Sequence, residues 1–463
     1  MRQSQEIPAF KRAFLSWVAL TVLIAVSLLS IALRWGQAGF DLFIQQPPLI
    51  YLPVTLASVA LIWLSIGALL FLLQSKRLNA GNALSIAGFF SMLWLYLNFL
   101  SERFRYGDYQ YYFEAASRLY ENQPLPPRYL YLPFWAWLLQ FLAPLGEETF
   151  FLILWFANIL ALLLLYVLLH RALEHYGFSH RFAALTTILF MLVNAPLLRN
   201  LVYVQVNLHT LNLILLSFML YPKRPWLSAL TLALAVHLKS SPAVLVLPFL
   251  LVKDWRWLTW FTGSMILVAA FTAVTDGFSP FLDFLNNIQG LASSTNTIFH
   301  ETSFDSFIRF IAPFLQIDQF WARVLIYALK LLLAAATFVV MARSIRKGQF
   351  FAGNERGAMI ANSVPALFIL MTLASPVVWE HHAIFLALPF PLMLKQVETP
   401  YEWLWFGFAY LLEFVLPTFD FFPWSYGRLL APLIVLWLIW RTNASALFPR
   451  INDGLENITL PGK

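Results

Sequence analysis

The chain of 463 residues contains no cysteine. Disulfide bridges, thiolate zinc sites and thiol catalysis are therefore excluded. Charge is scarce as well: Asp, Glu, Lys and Arg make up 11% of residues, less than half of the about 25% usual in soluble globular domains. There is no H-E-x-x-H pair, no clear internal repeat, no low-complexity tract and no stretch with the composition of a soluble domain. The net charge of +7 does not point to nucleic acid. The basic residues stand in short segments between apolar runs, where they act as topology signals.

What fills the chain instead is hydrophobic sequence, 60% of all residues. Apolar runs recur near 14–34, 49–73, 83–100, 149–170, 182–198, 206–221, 226–238, 241–252, 257–275, 320–342, 358–374, 383–395, 402–417 and 427–441. Runs approaching about 20 residues are long enough to cross a bilayer as helices. The first follows Arg2, Lys11 and Arg12 and is too long for a signal-peptide core, so it reads as a retained span. Some runs are short or broken by His237, Lys239 and Pro242, or by Pro389 and Pro391. Broken helices at membrane depth are tolerated where protein or a wet cavity covers them. The expectation is an all-α polytopic integral membrane protein of about 12–14 spans, one transmembrane domain over 1–463. Within it, 1–82 carry two additional N-terminal spans, 83–441 the core and 442–463 a cytoplasmic tail.

Basic residues set the expected orientation. Lys76 and Arg77, Arg171 with His175, His180 and Arg181, Lys223 and Arg224, Lys253 and Arg256, and Arg343, Arg346 and Lys347 all fall on the side of the N-terminus. This requires that 131–145, short, bounded by prolines and rich in Trp, lies along the outer surface rather than crossing. The expected location is the plasma membrane, with both termini cytoplasmic.

With that topology the unusual polar residues collect on the outer face: Asp108, then Gln205 and Asn207, then His237 and Lys239, then Glu380, His381 and His382. Three ionisable groups in a row near lipid are expensive, which favours a functional reading of Glu380–His382. Asp108 could simply pair with Arg105, and Lys239 could snorkel to the interface. His209 and Lys330 fall inside runs and read as packing or lipid-edge residues, and His170, His175 and His180 as cytoplasmic charge. A metal set of His381, His382 and Asp108 is disfavoured, because adjacent residues on a helix point about 100° apart.

Four stretches in order resemble glycosyltransferase family 87: Asp108-Tyr-Gln-Tyr-Tyr-Phe-Glu-Ala-Ala-Ser-Arg-Leu119 with Pro124, Tyr129, Pro133 and Pro144-Leu145; Gln205-Val-Asn207; Lys239-Ser-Ser-Pro242; and Ser375-Pro-Val-Val-Trp-Glu-His-His382. The resemblance covers about 107–395. Val204 stands where the family usually has Gly, Pro133 is single where prolines are often paired, and two extra spans precede the core. The resemblance implies a GT-C fold with interfacial helices in the first large outer loop. It further implies an inverting transferase that moves a hexose, mannose in the family, from a polyprenyl-phosphate donor to an outer glycolipid or glycan acceptor. Such a donor needs no nucleotide fold, no D-x-D motif and no cofactor, and implies membrane lipids, donor and acceptor as partners. The roles implied are Asp108 as general base, Lys239, His381 and His382 at the donor phosphate, and Gln205, Asn207, Glu380, Tyr109 and Arg105 at the substrates. The residues alone leave two alternatives open: a transporter or flippase of lipid-linked sugars, and a non-catalytic envelope-assembly subunit.

Overall fold

A computed structural model describes residues 11–26, parts of 63–86, and 107–293, 301–352, 355–416 and 424–442. The expected spans at 14–34, 49–73 and 83–100 are described only in part. Arg105 and the tail beyond 442 lie outside the described residues. Where described, the two N-terminal stretches are helical and joined by indoles. Trp17 Nε1 donates to the Trp63 carbonyl at 3.2 Å, and Trp63 Nε1 donates to Thr21 Oγ1 at 2.7 Å.

The described residues hold helices and no β-strand, as expected for a chain that must satisfy its backbone within each lipid-facing segment. Two short helices, α1 (Tyr109–Tyr120) and α2 (Pro133–Leu139), precede the long α3 (Glu147–His175). The 131–145 stretch is α2 followed by a 3₁₀ turn, Gln140–Leu145, too short to cross a bilayer upright. Next come α4 (His180–Leu192) and α5 (Ala195–Val202), bent by 62°. The bend has a local cause. Asn194 caps α5 by accepting from the Leu197 N–H at 2.8 Å, and Pro196 cannot donate to a continuing helix.

Two antiparallel helices of 14 residues, α6 (Asn207–Leu220) and α7 (Pro225–Leu238), pack closely on each other. The chain then breaks at Pro242 into a 3₁₀ turn, Ser241–Val246, and α8 (Leu247–Leu251). After α9 (Trp255–Asp276) and α10 (Ser279–Ser293) come α11 (Phe304–Ile311), α12 (Gln319–Lys347) and α13 (Glu355–Leu373). A 3₁₀ segment, Glu380–Ala387, leads to α14 (Pro389–Met393), α15 (Pro400–Tyr410) and α16 (Gly427–Arg441).

Among the described residues four helices are long and apolar enough to span a membrane, α3, α9, α12 and α13, or five if α4 and α5 count as one broken span. The chain is a multi-pass membrane protein. Several expected runs are shorter or broken helices, because prolines 225, 242, 248, 389 and 391 start new turns. Lipid exposure differs among the long helices. The apolar window of α13 is 78% buried and that of α9 only 11%, so α13 is a central element and α9 presents Ile266, Phe271 and Val274 outward. The main core gathers around α13, Glu380–Ala387, α14 and α16.

A second core positions the polar residues discussed next. It joins Tyr112, Ala115, Ala116 and Leu119 of α1, Trp135 and Leu139 of α2, Phe150 and Leu154 of α3, and Val204, Val206 and Leu238. Val204 and Val206 flank Gln205, Leu238 precedes Lys239, and Tyr112 lies one turn after Asp108. Packing these apolar neighbours together therefore draws together polar residues that are up to 131 positions apart in the chain.

Candidate functional site

Asp108 ends the loop that enters α1. Its N–H donates to the Tyr203 carbonyl at 3.0 Å. The approach is close: a Cβ on Gly107 would lie 3.1 Å from that carbonyl oxygen, so glycine suits this position. On the other side of the contact, Val204 has φ of 54°, the left-handed region that β-branched residues rarely enter. This conformation carries a steric cost that glycine would not incur. It also lets the Gln205 N–H reach the Asn200 carbonyl at 2.9 Å and turns the Gln205 side chain toward α1.

Gln205 is fully buried and its Nε2 donates to Asp108 Oδ2. Its Oε1 faces the Tyr112 hydroxyl at 3.3 Å, which in turn lies 3.2 Å from the Tyr131 hydroxyl. Burial pushes the Asp108 carboxyl above its ordinary pKa, while the Gln205 bond and the Lys239 charge pull the other way.

Lys239 leaves the end of α7 in an extended conformation. Its Nζ donates to Asn207 Oδ1 at 2.9 Å and sits 5.4 Å from the centre of the Phe385 ring. Asn207 Nδ2 donates to Asn200 Oδ1 at 3.0 Å, and Asn200 Nδ2 donates to the carbonyls of Pro196 at 2.7 Å and His381 at 2.8 Å. Lys239, Asn207, Asn200 and the His381 backbone thus form one buried chain of hydrogen bonds, and the Lys239 charge acts on both Asp108 and the His381 ring. Four stretches separated in sequence meet here.

The other expected residues make contacts of their own, although the His382 ring lies 4.6 Å from the His381 ring and also feels the Lys239 charge. Glu380 is clasped by two arginines: Arg428 Nη2 lies 3.1 Å from Oε1 and Arg199 Nε 3.6 Å from Oε2. Arg428 also donates to the carbonyls of Glu413 at 3.0 Å and Leu416 at 2.5 Å. These contacts make Glu380 a tie between α5, α16 and its own turn. His382 Nδ1 accepts from the Trp379 N–H at 3.2 Å, which pins the turn before it. Tyr109 packs its ring on Phe151 at 4.9 Å. His237 bonds the Met265 carbonyl at 3.1 Å, away from the network. Lys330, expected as a packing or lipid-edge residue, is ion-paired with Asp305, since a partly buried ammonium requires a counter-charge.

Sequence reading missed Asn200, Arg199, Arg428, Tyr112 and Tyr131. Asn200 and Arg199 follow an apolar run in Leu-Leu-Arg-Asn, and polar groups there were the available signal. Arg428 at the start of a run reads as an ordinary interface anchor, and nothing local marks its partner.

A carboxylate and an ammonium are thus each held by a buried neutral amide, Asp108 by Gln205 and Lys239 by Asn207. A hydroxyl placed beside Asp108 could lose its proton there, and an anion placed beside Lys239 could be held. The family model described as Glycosyltransferase family 87 matches residues 129–376. The match holds Gln205, Asn207 and Lys239 and stops short of Asp108 and of Glu380–His382, so it is narrower than the 107–395 expected. No curated protein and no solved structure matches the chain. The match takes in more than half of the 463 residues, and on it the chain belongs to glycosyltransferase family 87.

Proposed function

We propose that the protein transfers a hexose, with mannose the first to test, from a polyprenyl-phosphate donor to a glycolipid or glycan acceptor at the extracytoplasmic face. The observation that carries this reading is the buried network itself. It holds a carboxylate at one end and an ammonium at the other, each oriented by uncharged amides.

In the proposed step Asp108 takes the proton of the acceptor hydroxyl as its oxygen bonds to the anomeric carbon. The bond from that carbon to the phosphate oxygen breaks with inversion, and its electron pair leaves on the polyprenyl phosphate. Lys239, a compact charge suited to phosphate, holds the leaving group, and the His381 ring stands beside it. Gln205 and Asn207 fix the base and the cation, and a sugar hydroxyl would reach either amide by exchanging with the Tyr112 or Asn200 bond. The GT-C fold belongs to the same reading.

The placement suits a lipid-linked donor. Both α6 and α7 have the network at one end and the basic pair Lys223–Arg224 at the other. Their 14 residues span about 21 Å, short of the about 30 Å hydrocarbon layer. With the basic pair at the cytoplasmic surface, the network lies at the outer end and slightly below the surface, covered by α1 and α2. Both termini are then cytoplasmic, in the plasma membrane. Trp137 and the exposed Tyr111 and Tyr120 of α1 suit the headgroup boundary where such a donor would enter.

The test is transfer by the purified, reconstituted protein given radiolabelled polyprenyl-phosphate hexose. Label should move to a glycolipid acceptor, and Lys239→Ala should lower turnover by about 10²–10³ while leaving the protein folded. Movement of intact donor across the bilayer without bond change would overturn the reading, and unchanged kinetics in Lys239→Ala would remove Lys239 from the phosphate.

A further inference from the structure

His170, His175 and His180 read in sequence as charge at the membrane surface, but the structure separates them. His170 and Glu174 are four residues apart on α3, the spacing that places side chains on one helix face. His180 opens α4 after a tight turn in which the Gly177 N–H reaches the Glu174 carbonyl at 2.8 Å and the Phe178 N–H the Leu173 carbonyl at 3.0 Å. Phe178 is buried and stacks on Phe182 with ring centres 5.4 Å apart. The backbone around His180 is therefore anchored although its side chain is 74% exposed. His175 is not part of the group: its ring stacks on Phe351.

Three ligand atoms converge at this end of α3. His170 Nε2 lies 3.1 Å from His180 Nδ1, and Glu174 Oε1 lies 2.7 Å from His180 Nδ1 and 3.4 Å from His170 Nε2. The other carboxylate oxygen is occupied by Arg171 Nη1 at 3.1 Å, which orients Oε1 toward the two rings. Ligands about 2.0–2.1 Å from a tetrahedral zinc ion lie about 3.4 Å from one another. The triangle needs only a small opening to meet that geometry. His170 forms its buried floor, and exposed His180 leaves a solvent side for the fourth ligand.

The geometry points to a divalent-cation site formed by His170, Glu174 and His180. Two imidazoles and one carboxylate, in a chain without thiols, suit zinc-class ions; calcium and magnesium favour all-oxygen sets. The site lies about 20 residues along α3 from Phe150, which packs against α1 beside the Asp108 network. This corresponds to about 30 Å of helix, so the cation takes no part in sugar transfer. Its physical effect is to clasp the end of α3 to the start of α4.

The test uses full-length protein purified through a tag without histidine and stripped with chelator. Titration with Co²⁺, followed by its visible absorption, and equilibrium dialysis with Zn²⁺, followed by metal analysis, should each give one equivalent per chain that excess Mg²⁺ does not displace. His180→Ala, at a side chain that is 74% exposed, should lower affinity at least about 10-fold, the lower end of what even an outer-shell loss costs. His175→Ala should leave it unchanged. If the wild-type chain binds no equivalent, or if His180→Ala and Glu174→Gln bind as tightly as wild type, the three residues are an ion pair only and the proposal fails.

Discussion

Asp108 and Glu380 are two carboxylates of one polar region, and they are held in opposite ways. Asp108 is partly buried and meets a neutral amide from Gln205, with the Lys239 charge acting from further away. Glu380 is buried and lies between Arg428 and Arg199. A carboxylate clamped by arginines is satisfied as an anion and serves as a strut. A carboxylate held by an amide keeps its orientation without a full counter-charge and can accept a proton from a substrate. The two regions around them differ accordingly. The segment from Asp108 through α1 meets the 203–207 turn through uncharged groups, whereas the 380–428 region is cross-linked by charge.

This contrast is sharpest under isosteric substitution. Asp108→Asn keeps the shape and removes the basicity, so transfer should fall by about 10²–10⁴ with donor binding retained and the melting midpoint in detergent close to wild type. Glu380→Gln should do the reverse. It removes the carboxylate charge that meets buried Arg428 and half-buried Arg199, a defect of about 3–5 kcal/mol seen as a lowered midpoint. A stable Glu380→Gln protein without activity, beside a working Asp108→Asn protein, would exchange the two roles.

A smaller effect is expected from pH. Because burial raises the Asp108 pKa, the ionised base is lost at higher pH than for a free carboxylate. The acid limb of the rate profile should therefore lie above the ordinary Asp range of about 3.9 and vanish in Asp108→Asn. Stability runs the other way. A group whose folded pKa is raised contributes stability that is complete below its unfolded pKa and lost as pH rises through the folded value. Activity and the Asp108 contribution to stability should thus change in opposite directions over one window, measurable as kcat and melting midpoint against pH. A rate profile flat through that window would contradict the assignment.

The smallest expected effect concerns the turn that aims Gln205. Val204 and Val206 are both buried, but only Val204 has a left-handed backbone. Val204→Gly relieves strain of about 1–3 kcal/mol and loses about the same in buried apolar surface, so its melting midpoint should stay near wild type. Val206→Gly loses the same side chain with no strain to relieve and should melt clearly lower. Equal losses would show that the Val204 backbone is not strained.

The membrane class, the helical architecture and the clustering of rare polar residues at helix ends were legible in the sequence. In a chain with so little charge, lipid is the only solvent the apolar runs can face, and each polar residue is conspicuous because burying it is costly. The positions of Asp108, Gln205, Asn207 and Lys239 could be marked for that reason, and the family-like order of the motifs linked them. The sequence did not show which polar groups pair. Glu380 and Arg428 are 48 residues apart, and Asn200 and His381 are 181 apart. Their partnership depends on how helices pack, and a Glu beside two histidines looks the same in sequence whether it binds substrate or braces a turn. Likewise the i,i+4 spacing of His170 and Glu174 was readable, but only the tight turn into α4 carries His180 back to meet them. Local sequence set which residues prefer helix, lipid or turn; tertiary packing decided which charges face each other, because that depends on distances across elements that no local pattern encodes.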